Sequence, residues 1–561
     1  MWAFSASSAR AASARVEPIA VDAVVIGSGI GGLSAGAMLA ASGYSVVVCE
    51  SHYEIGGVAH EFFMTEDGQT VPSDRLTAAE REGPSKYYKF EAGPSLYTGL
   101  SDSVSPNPLK HVFQMIGHEP KWVRYDRWTG FFEECIDEGF SQSIGAKAFE
   151  ETLRRYGGPA ALDEWGRLSA KLRPLTKGIM RLPSVALRSD LGVLRTLVAR
   201  YPGPFIDTVR VGSQITAPFS SVLEELKISD PFLKNYLNLL CFLLQGLPAE
   251  GTLTAVMAYM IDDFFKPDGA VDYPLGGSGA IAGALERGIV DHGSSVLRRA
   301  HVQEILVVDG RAAGVRLRDG REFTARRGVI SNADALGTYR LVPPGACEAV
   351  DKAREELQSG APLCESFLHL HVGIDAADLP ADIAPQWTVC QSWTVPIDAP
   401  GNVIVVSMPS LLDPTLAPAG RHVIHAYTAG NEPYGLYEKY RNDQSNPEYL
   451  QLKEQRAELL WRAIEKVIPD VRKRAKLSMI GTPLTHERFN RRYRGSYGPA
   501  IAAGGGAQFP GPRTPLPGLF RCGDSTNPGI GVPAVASSGA AAAAAILSVG
   551  EHLRLLERVR I

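Results

Sequence analysis

The sequence predicts an α/β fold in which a Rossmann-type dinucleotide-binding domain is combined with a mixed-sheet substrate domain and a helical subdomain. Three observations support this prediction. An apolar strand runs into a glycine-rich turn and a helix over residues 21–36, and a second such unit occupies residues 519–533. Between them, helical periodicity dominates from residue 145 to about residue 265. We therefore expect one nucleotide site that is built from both ends of the chain.

The first glycine-rich turn has the spacing of a phosphate-binding loop. Gly27 permits the tight turn, Gly29 lets the backbone approach a pyrophosphate, and Gly32 lets the helix pack closely on the strand. The helix N-terminus, with Ile30 and Gly31, then presents free N–H groups and the positive end of its dipole to the phosphates. All five residues are predicted to contact a dinucleotide.

An acid and a glycine pair identify the dinucleotide. Glu50, with Ser51 beside it, ends the second strand about 20 residues after the turn, where an acid that holds ribose hydroxyls is expected. An acid here favours an unphosphorylated ribose, as in FAD or NAD. Gly56 and Gly57, followed by Val58, are typical of flavoproteins, in which the chain passes the cofactor a second time. We therefore predict FAD.

The C-terminal unit, residues 519–533, has the same strand, turn and helix arrangement as the first. Gly523 and Asp524 end a short strand, and a helix begins at Val532 after Gly531. Asp524 can hold the ribityl chain, and the N–H groups near Gly531 and Val532 can point at the N1/O2 edge of the flavin. The positive end of that helix favours the anionic reduced flavin.

Residues 273–345 return to α/β patterning and are predicted to be the second part of the FAD-binding domain. Asp-Gly turns at 309–310 and 319–320 separate alternating strands, which indicates hairpins. The strand after these hairpins ends at Asn332, a predicted cofactor contact. Val302, at the start of the first hairpin, is expected to rest against the adenine.

The chain is expected to divide into six segments. Polar residues 65–88 form a surface insertion, strands at 366–372, 402–408 and 422–427 form the substrate sheet, and helices span 447–467 and 535–553. The predicted segments are a disordered leader or transit remnant (1–18), the first part of the FAD-binding domain (19–105), a helical, substrate and possible membrane-contact region (106–272), the second part of the FAD-binding domain (273–345), the substrate-domain antiparallel sheet and helix (346–510), and the C-terminal strand and helix of the FAD-binding domain (511–561).

Two stretches of the helical region leave alternatives open. Residues 171–200 carry seven Lys or Arg and one acid among aliphatic residues. Such a segment either lies on an anionic membrane surface or is a solvated helix face. Residues 233–264 are strongly apolar, and they either line a cavity for an apolar ligand or form the core of the helical subdomain.

Composition narrows the class of protein further. The 561 residues are 45% hydrophobic and 21% charged with a net charge of −4, which gives no indication of nucleic-acid binding. The seven cysteines show neither a C-x-x-C pair nor zinc spacing, so we expect reduced thiols in an intracellular compartment. No apolar run reaches the roughly 20 residues of a membrane span. Residues 1–15, rich in Ala, Ser and Arg, fit either an organelle transit segment or a bacterial leader.

No metal site and no second nucleotide site are predicted. His369 and His371 share one face of a strand, and in the absence of a third ligand at suitable spacing we interpret them as a structural pair rather than as zinc ligands. Arg488, Arg491 and Arg492, with Arg494, form a basic cluster that indicates a solvated surface or a phosphate contact. No second G-x-G-x-x-G follows a strand, so the electron donor of the flavin is unknown or the reaction is redox-neutral.

Several motifs together resemble the FAD-dependent carotenoid isomerase-like family, whose relatives include phytoene desaturases and retinol saturases. The resemblance covers nearly all of residues 20–550. The matching stretches are residues 50–62, 90–96, 273–277, 331–334 and 481–486. The most specific are RGSYGPA (494–500), GLFRCGDS (518–525) and PGIGVP (528–533).

The resemblance implies a fold of the amine oxidase and phytoene desaturase type, non-covalent FAD and a long apolar polyene, a carotenoid, in a tunnel. With the leader, it also implies a membrane-associated plastid protein, the bacterial cytoplasm being the alternative. Three hypotheses follow: cis–trans isomerisation that needs reduced FAD; desaturation, saturation or hydration; and a non-catalytic FAD-binding carotenoid carrier. In the isomerase hypothesis Glu91 is the candidate proton donor, and a purely structural carboxylate is the alternative.

Overall fold

The computed structural model describes residues 17–82, 86–93, 96–133, 138–141, 144–267 and 269–561. Almost all of the predicted leader 1–18 lies outside these residues, as do Cys135 and the Pro94-Ser95 pair of one family motif. No helix within these ranges is both long and apolar enough to cross a membrane.

The strands, in chain order, are β1 (Ile19–Ile26), β2 (Val46–Cys49), β3 (Glu61–Met64), β4 (Thr70–Val71), β5 (Tyr88–Glu91), β6 (Trp122–Tyr125), β7 (Trp128–Phe131), β8 (Phe140–Ser141), β9 (Val271–Pro274), β10 (Ser295–Leu297), β11 (Val302–Val308), β12 (Arg311–Leu317), β13 (Glu322–Ser331), β14 (His369–Asp375), β15 (Gln386–Cys390), β16 (Val403–Ser407), β17 (Arg421–Thr428), β18 (Ala475–Gly481) and β19 (Leu519–Arg521).

The helices are α1 (Ile30–Ala41), α2 (Ala78–Glu82), α3 (Pro108–Ile116), α4 (Ala146–Tyr156), α5 (Ala161–Ile179), α6 (Gly192–Arg200), α7 (Pro202–Ile215), α8 (Phe219–Glu225), α9 (Pro231–Gln245), α10 (Thr254–Phe264), α11 (Gly279–Val290), α12 (Ala335–Arg340), α13 (Glu348–Gln358), α14 (Pro447–Glu465), α15 (Val471–Arg474), α16 (Pro483–Asn490), α17 (Val532–Ala544) and α18 (Val549–Leu556).

The first sheet is the predicted Rossmann-type sheet, and it is assembled from distant parts of the chain. Its order is β10-β2-β1-β13-β12-β11, and β19 pairs with β13. The pairs β1–β2, β1–β13, β2–β10 and β13–β19 are parallel, whereas β11, β12 and β13 form the two antiparallel hairpins predicted from the Asp-Gly turns. The α/β fold class is therefore confirmed.

Helix α1 packs unusually closely on this sheet and on α17 because glycines stand at the contacts. A Cβ atom on Gly32 would clash with the carbonyl oxygen of Gly27, and one on Gly539 would clash with that of Gly31. The backbone of α1 therefore lies directly over the first turn and beside the closing helix. This contact brings the N-termini of α1 and α17 to one site.

The second sheet belongs to the substrate domain and has the order β18-β14-β17-β16-β15-β7-β8. The three strands expected between residues 366 and 427 pair as predicted, but β15, β18, β7 and β8 were not anticipated. One face packs on α14 through Trp387, Leu460 and Ile464. Because side chains alternate along a strand, His369 and His371 lie on the opposite face.

Two predicted helical segments are broken in the structure. Residues 171–200 are not one amphipathic helix, since α5 ends at Ile179 and α6 begins at Gly192. Between them Arg188 is buried and its guanidinium pairs with Asp190, so this arginine is not on a membrane-facing surface. The predicted helix 535–553 is two helices, because Ser548 caps α18 through a reciprocal bond with Glu551.

The polar stretch 65–88 has more structure than a surface loop. It contains β4, which pairs with β3, and the short helix α2. Ser73 is buried, and its N–H donates to the Glu54 carboxylate at 3.0 Å. The insertion is therefore fastened to the nucleotide-binding half of the protein.

Candidate functional site

A cavity of about 570 Å³ lies where the two sheets and the helical region meet. One part of its wall consists of the glycine turns from both ends of the chain, and the other part is apolar. The predicted cofactor residues that line it are Gly29, Ile30, Gly31, Gly56, Gly57, Val58, Asn332, Gly523, Asp524, Gly531 and Val532. Gly27 and Gly32 lie directly behind this wall, in the turn itself.

The glycine turn forms a cradle around the side chain of Asn332. A Cβ atom on Gly31 would lie 2.6 Å from Asn332 Oδ1, and one on Gly29 would clash with the same amide. Gly56 forms a bridge with Gly29, and a Cβ atom on Gly57 would lie 3.0 Å from Gly29 Cα. Only glycine allows three segments of backbone to come this close. The turn, the glycine pair and Asn332 therefore form one surface.

Two helices direct uncapped N-termini at this surface. The N-cap residues are Gly29 for α1 and Gly531 for α17, and neither helix has a side-chain cap. First-turn N–H groups that lack a side-chain acceptor, together with the positive end of each helix dipole, form a site for anionic groups. A dinucleotide with a pyrophosphate and an anionic reduced ring has this distribution of charge.

Glu50, Ser51 and Val302 lie beside the turn but do not line the cavity. The Glu50 carboxylate accepts from Ser28 N at 2.9 Å and Ser28 Oγ at 2.6 Å through Oε2, and from His52 N at 2.7 Å and Ser51 Oγ at 3.3 Å through Oε1, so its position is fixed. A ribose hydroxyl would have to displace the longest of these bonds, the one from Ser51. Val302 is buried two residues after Ala300, whose N–H donates to the Glu50 carbonyl.

Two arginines of the predicted basic cluster, which are distant in sequence from the first glycine turn, contact residues of this site. Arg491 donates to Ser51 Oγ at 2.9 Å. The buried Arg492 guanidinium pairs with the Asp524 carboxylate and donates to the carbonyl of Ser496. Asp524, expected to hold the ribityl chain, therefore already carries one strong hydrogen-bond partner. These contacts join sequence-distant residues and have no local signature.

The Glu91 carboxylate lies behind the cavity wall, where its neighbours Ala92 and Gly93 form the surface. Its Oε1 atom accepts from Ser278 N at 2.7 Å, Ser278 Oγ at 2.5 Å and the Tyr273 hydroxyl at 3.1 Å. Its Oε2 atom is buried and has no hydrogen-bond partner among the residues that the structure describes. Burial raises the pKa of this carboxyl group, although the hydrogen bonds from Ser278 act in the opposite direction.

A chain of hydroxyls connects this carboxylate to the cavity. Tyr97 lines the cavity, and its hydroxyl donates to Ser278 Oγ at 2.9 Å; Ser278 in turn donates to Glu91. Each hydroxyl can both donate and accept. The chain can therefore carry a proton between Glu91 and the cavity in either direction.

Four histidines stack where the two parts of the cavity meet. His371 and His425 stand opposite each other on β14 and β17, with ring centroids 4.2 Å apart. His369 Nδ1 lies 3.0 Å from His425 Nε2, and His486 of α16 stacks on His369. Burial lowers the pKa of His371 to about 4 and that of His486 to about 3, so the stack is neutral at physiological pH.

The predicted pair of histidines is thus part of a larger cluster that sequence reasoning missed. His369 and His486 line the cavity, whereas His371 donates from Nε2 to the Glu91 carbonyl. Parallel rings do not converge on one point, and no group of three or more metal-ligating side chains is found in the part of the chain that the structure describes. The sequence did not show that β14 pairs with β17 in the register that brings His371 and His425 together.

The apolar part of the cavity is formed by α9 and α10. Leu240, Leu243 and Leu244 line it from α9 and Val256 and Met260 from α10, with Trp128 and Phe264 nearby. The opposite faces of these helices are packed in the helical core. These helices therefore form part of the cavity wall and part of the helical core, and binding of an apolar ligand in the cavity stays a prediction.

The residues present fit FAD. Glycine turns that admit a pyrophosphate, two uncapped helix N-termini and an oriented ribose acid are found together, next to a large apolar cavity. A Rossmann-type sheet joined in this way to a mixed substrate sheet defines the class of two-domain flavoproteins.

Comparison with known proteins gives the family. Residues 25–114 match the NAD(P)-binding Rossmann-like domain, and residues 213–547 match the flavin containing amine oxidoreductases. Prolycopene isomerase of Arabidopsis thaliana is 31% identical over 92% of this chain and 81% of that protein. Phytoene desaturase (lycopene-forming) of Pseudescherichia vulneris is 23% identical over 93% and 98%. The structure of an oxidoreductase from Methanosarcina mazei has a TM-score of 0.55 and 19% identity, over 92% of this chain and 98% of that one.

The chain belongs to the flavin-containing amine oxidoreductases, in the branch of the carotenoid isomerases and desaturases. It is an enzyme of the FAD-dependent oxidoreductase superfamily, and FAD is its cofactor. The resemblance of its sequence motifs to this family is therefore confirmed.

Proposed function

We propose that this enzyme isomerises cis double bonds of a carotenoid polyene and leaves the composition of the substrate unchanged. The observation that carries the proposal is a cavity that is lined both by the glycine turns and by an apolar wall. A long hydrocarbon chain placed in the apolar part would extend directly to the flavin surface. The relative named prolycopene isomerase, similar over 92% of this chain, supports isomerisation.

The chain's own residues provide orientation, exclusion of water and a proton path. Bound reduced FAD supplies electron density that lowers the order of a polyene double bond. Leu240, Leu243 and Met260 hold the polyene and keep water out. Tyr97 delivers a proton to one carbon of the polyene and, after rotation about the weakened bond, takes a proton back from the same carbon. Ser278 connects Tyr97 to Glu91, which gives up the proton and receives it again. A transient positive charge on the polyene would face neutral imidazole rings rather than imidazolium ions.

In this proposal the predicted cofactor residues have separate tasks. The N–H groups of Ile30 and Gly31 hold the pyrophosphate, Glu50 the ribose and Val302 the adenine. Asn332, Gly56 and Gly57 define the surface along which the cofactor lies, and Asp524, steered by Arg492, holds the ribityl chain. The N-terminus of α17 at Val532 stabilises negative charge on the reduced ring.

The mass of the product tests isomerisation. The enzyme with FAD is incubated with a poly-cis carotene under reducing and under oxidising conditions, and the product is analysed by chromatography and mass spectrometry. We expect an all-trans product of unchanged mass that forms only when FAD is reduced. A gain or loss of two hydrogens would instead identify a saturase or a desaturase, and a gain of one water would identify a hydratase. Binding without any product would leave the carrier hypothesis.

Peripheral membrane contact is part of the proposal because the substrate dissolves in lipid. Six exposed apolar residues cluster on and around α6 and α7, beside Leu182 and Ser184 of the cavity wall. They are Leu187, Leu191, Leu194, Val198, Ile206 and Val209, which we call the apolar face. Leu191 is 89% exposed, and Arg195 and Arg200 stand among these residues. Apolar side chains surrounded by arginines suit the surface of an anionic bilayer.

We further propose a plastid location. The leader composition and the word chloroplastic in the names of the isomerase relatives support it. Uptake by isolated plastids is expected for the full chain and not for a chain that lacks residues 1–18. Equal uptake of both would contradict a transit function for the leader.

A further inference from the structure

Two hydroxyl groups in the cavity wall have no hydrogen-bond partner among the described residues. They are Tyr259 Oη, on α10, and Ser184 Oγ, in the short turn before α6. Both oxygen atoms are shielded from solvent. A hydrocarbon that filled the cavity would leave them unpaired, and a buried polar group without a partner is unfavourable.

Tyr259 belongs to the face of α10 that forms the apolar wall. Ala255, Val256, Met260 and Phe264 line the same cavity, with the spacing of three to five residues that one helix face requires. The tyrosine hydroxyl thus lies within an otherwise aliphatic and aromatic surface. Burial, and secondarily the charge of Asp263, raise the pKa of Tyr259 well above its ordinary value, so the hydroxyl remains a donor.

Three other polar groups along this wall have protein partners. Trp128 Nε1 donates to Thr388 Oγ1 at 3.0 Å, Asn107 Nδ2 donates to the Thr98 carbonyl at 2.8 Å, and the Tyr497 hydroxyl donates to the Leu243 carbonyl at 3.3 Å. Unsatisfied hydroxyls are therefore not a general property of the cavity. Tyr259 and Ser184 are hydroxyls of this wall without a partner among the described residues, and Nε2 of His369 and Oδ1 of Asn490 are further polar atoms of the wall in the same state.

We propose that the polyene substrate is oxygenated, and that Tyr259 donates a hydrogen bond to a hydroxyl or carbonyl oxygen at one end of it. Ser184 is a second contact for substrate oxygen. This inference rests on the proposed function, because it takes the apolar cavity to be the polyene site. It narrows the substrate class from carotenoids in general to those that bear oxygen.

Binding of two matched polyenes tests the proposal. The probes are a C40 hydrocarbon carotene and its monohydroxy derivative with the same conjugated system, each delivered in the same detergent micelles to the FAD-loaded enzyme. Quenching of tryptophan fluorescence reports binding, since Trp128 lines the cavity. We expect the wild-type protein to bind the hydroxylated polyene about tenfold more tightly, the value of one neutral hydrogen bond in a site with no competing partner.

Tyr259→Phe should remove this preference and leave the affinity for the hydrocarbon equal or higher. Tyr236→Phe is the matched control, because Tyr236 is buried in the same helical core but does not line the cavity; it should keep the preference. Ser184→Ala is a smaller change and should reduce the preference for the hydroxylated polyene severalfold. It tests the proposal if Tyr259→Phe does not fold.

Equal binding of both polyenes by the wild-type enzyme would overturn this inference and leave the proposed function intact. A preference that survives in both Tyr259→Phe and Ser184→Ala would also overturn it. If neither polyene binds, the polyene site and, with it, the proposed function are refuted.

Discussion

Two hydroxyl groups separate the Glu91 carboxyl from the cavity, and this arrangement decides how the residue can act. Tyr97 and Ser278 bridge the gap, so Glu91 does not need to touch the substrate. Tyr273 also donates to Glu91 but does not line the cavity. Tyr97 therefore belongs to the proposed proton path, whereas Tyr273 only holds the Glu91 carboxylate in place.

Replacing single members of this path should therefore have unequal effects. Glu91→Gln and Tyr97→Phe should each lower kcat by about 100-fold or more, the usual contribution of a positioned acid or base. The double variant should be little worse than either single one, because both changes interrupt one path. Tyr273→Phe serves as the control and should retain most of the activity.

The pH–rate profile distinguishes the two roles of Glu91. If protonated Glu91 is the acid, wild-type kcat declines as pH rises through the raised pKa of its carboxyl group, and this decline is absent in Glu91→Gln. A Glu91→Gln enzyme with wild-type kcat and only a lower melting temperature would show that the carboxylate is structural.

At the scale of elements, the histidine stack shows how strand register creates a site. The alternation of His369 and His371 was visible in the sequence, but their partner His425 is 54 residues beyond His371 and becomes opposite to it only when β14 pairs with β17. His486 arrives from α16. The stack consists of neutral rings that burial prevents from taking up protons.

This burial makes the substrate domain sensitive to acid. His371 titrates near its ordinary value of 6.5 in the unfolded chain and at about 4 in the folded protein. The unfolded state therefore binds more protons below pH 6.5, and folding stability falls as the pH decreases from about 6.5 to about 4. Between pH 7 and pH 5 each such histidine contributes a loss of about 2 kcal/mol.

Chemical denaturation at pH 7 and pH 5 measures this loss. A His371→Gln variant should lose about 2 kcal/mol less than the wild-type protein over this interval. Lys352→Gln, an exposed change that removes no histidine, is the control and should show the pH dependence of the wild-type protein. A pH dependence unchanged by His371→Gln would contradict the assignment of this sensitivity to the stack.

The apolar face of α6 and α7 makes a second prediction at this scale. We expect the protein to float with anionic liposomes, and Leu191→Ser combined with Arg195→Glu and Arg200→Glu to reduce the floated fraction severalfold. Lys352→Glu, an exposed change on α13, is the control. Arg188 is unsuitable for this test because its guanidinium is buried in an ion pair. If the triple variant floats as well as the wild-type protein does, the apolar face is exposed to solvent and does not contact the membrane.

At the scale of the whole molecule, the proposed flavin site depends on joining both ends of the chain. The α1 turn and the α17 turn are about 500 residues apart, yet the two helices touch through Gly31 and Gly539. A ligand bound between them stabilises the folded state by mass action.

Removal of FAD should therefore lower the melting temperature, and added FAD should restore it in a concentration-dependent manner. At 100 times its dissociation constant the expected stabilisation is about 2.7 kcal/mol. Asp524→Asn should weaken FAD binding, measured by flavin fluorescence, while Asp443→Asn, on an exposed loop, should not. A melting temperature that does not depend on FAD concentration would contradict selective binding of FAD to the folded protein.

The sequence alone determined the features that depend on local backbone chemistry. Glycine spacing, a strand-ending acid and turn residues reflect constraints within a few residues, so the Rossmann-type fold could be predicted from Gly27, Gly29 and Glu50, and FAD from the pair Gly56 and Gly57. The family followed from the resemblance of several motifs. Only the tertiary structure decided which distant side chains meet: Arg492 with Asp524, His425 with His371, and the unpaired Tyr259 within an apolar wall. These contacts arise from strand register and helix packing between segments far apart in the chain, and no short-range pattern encodes them.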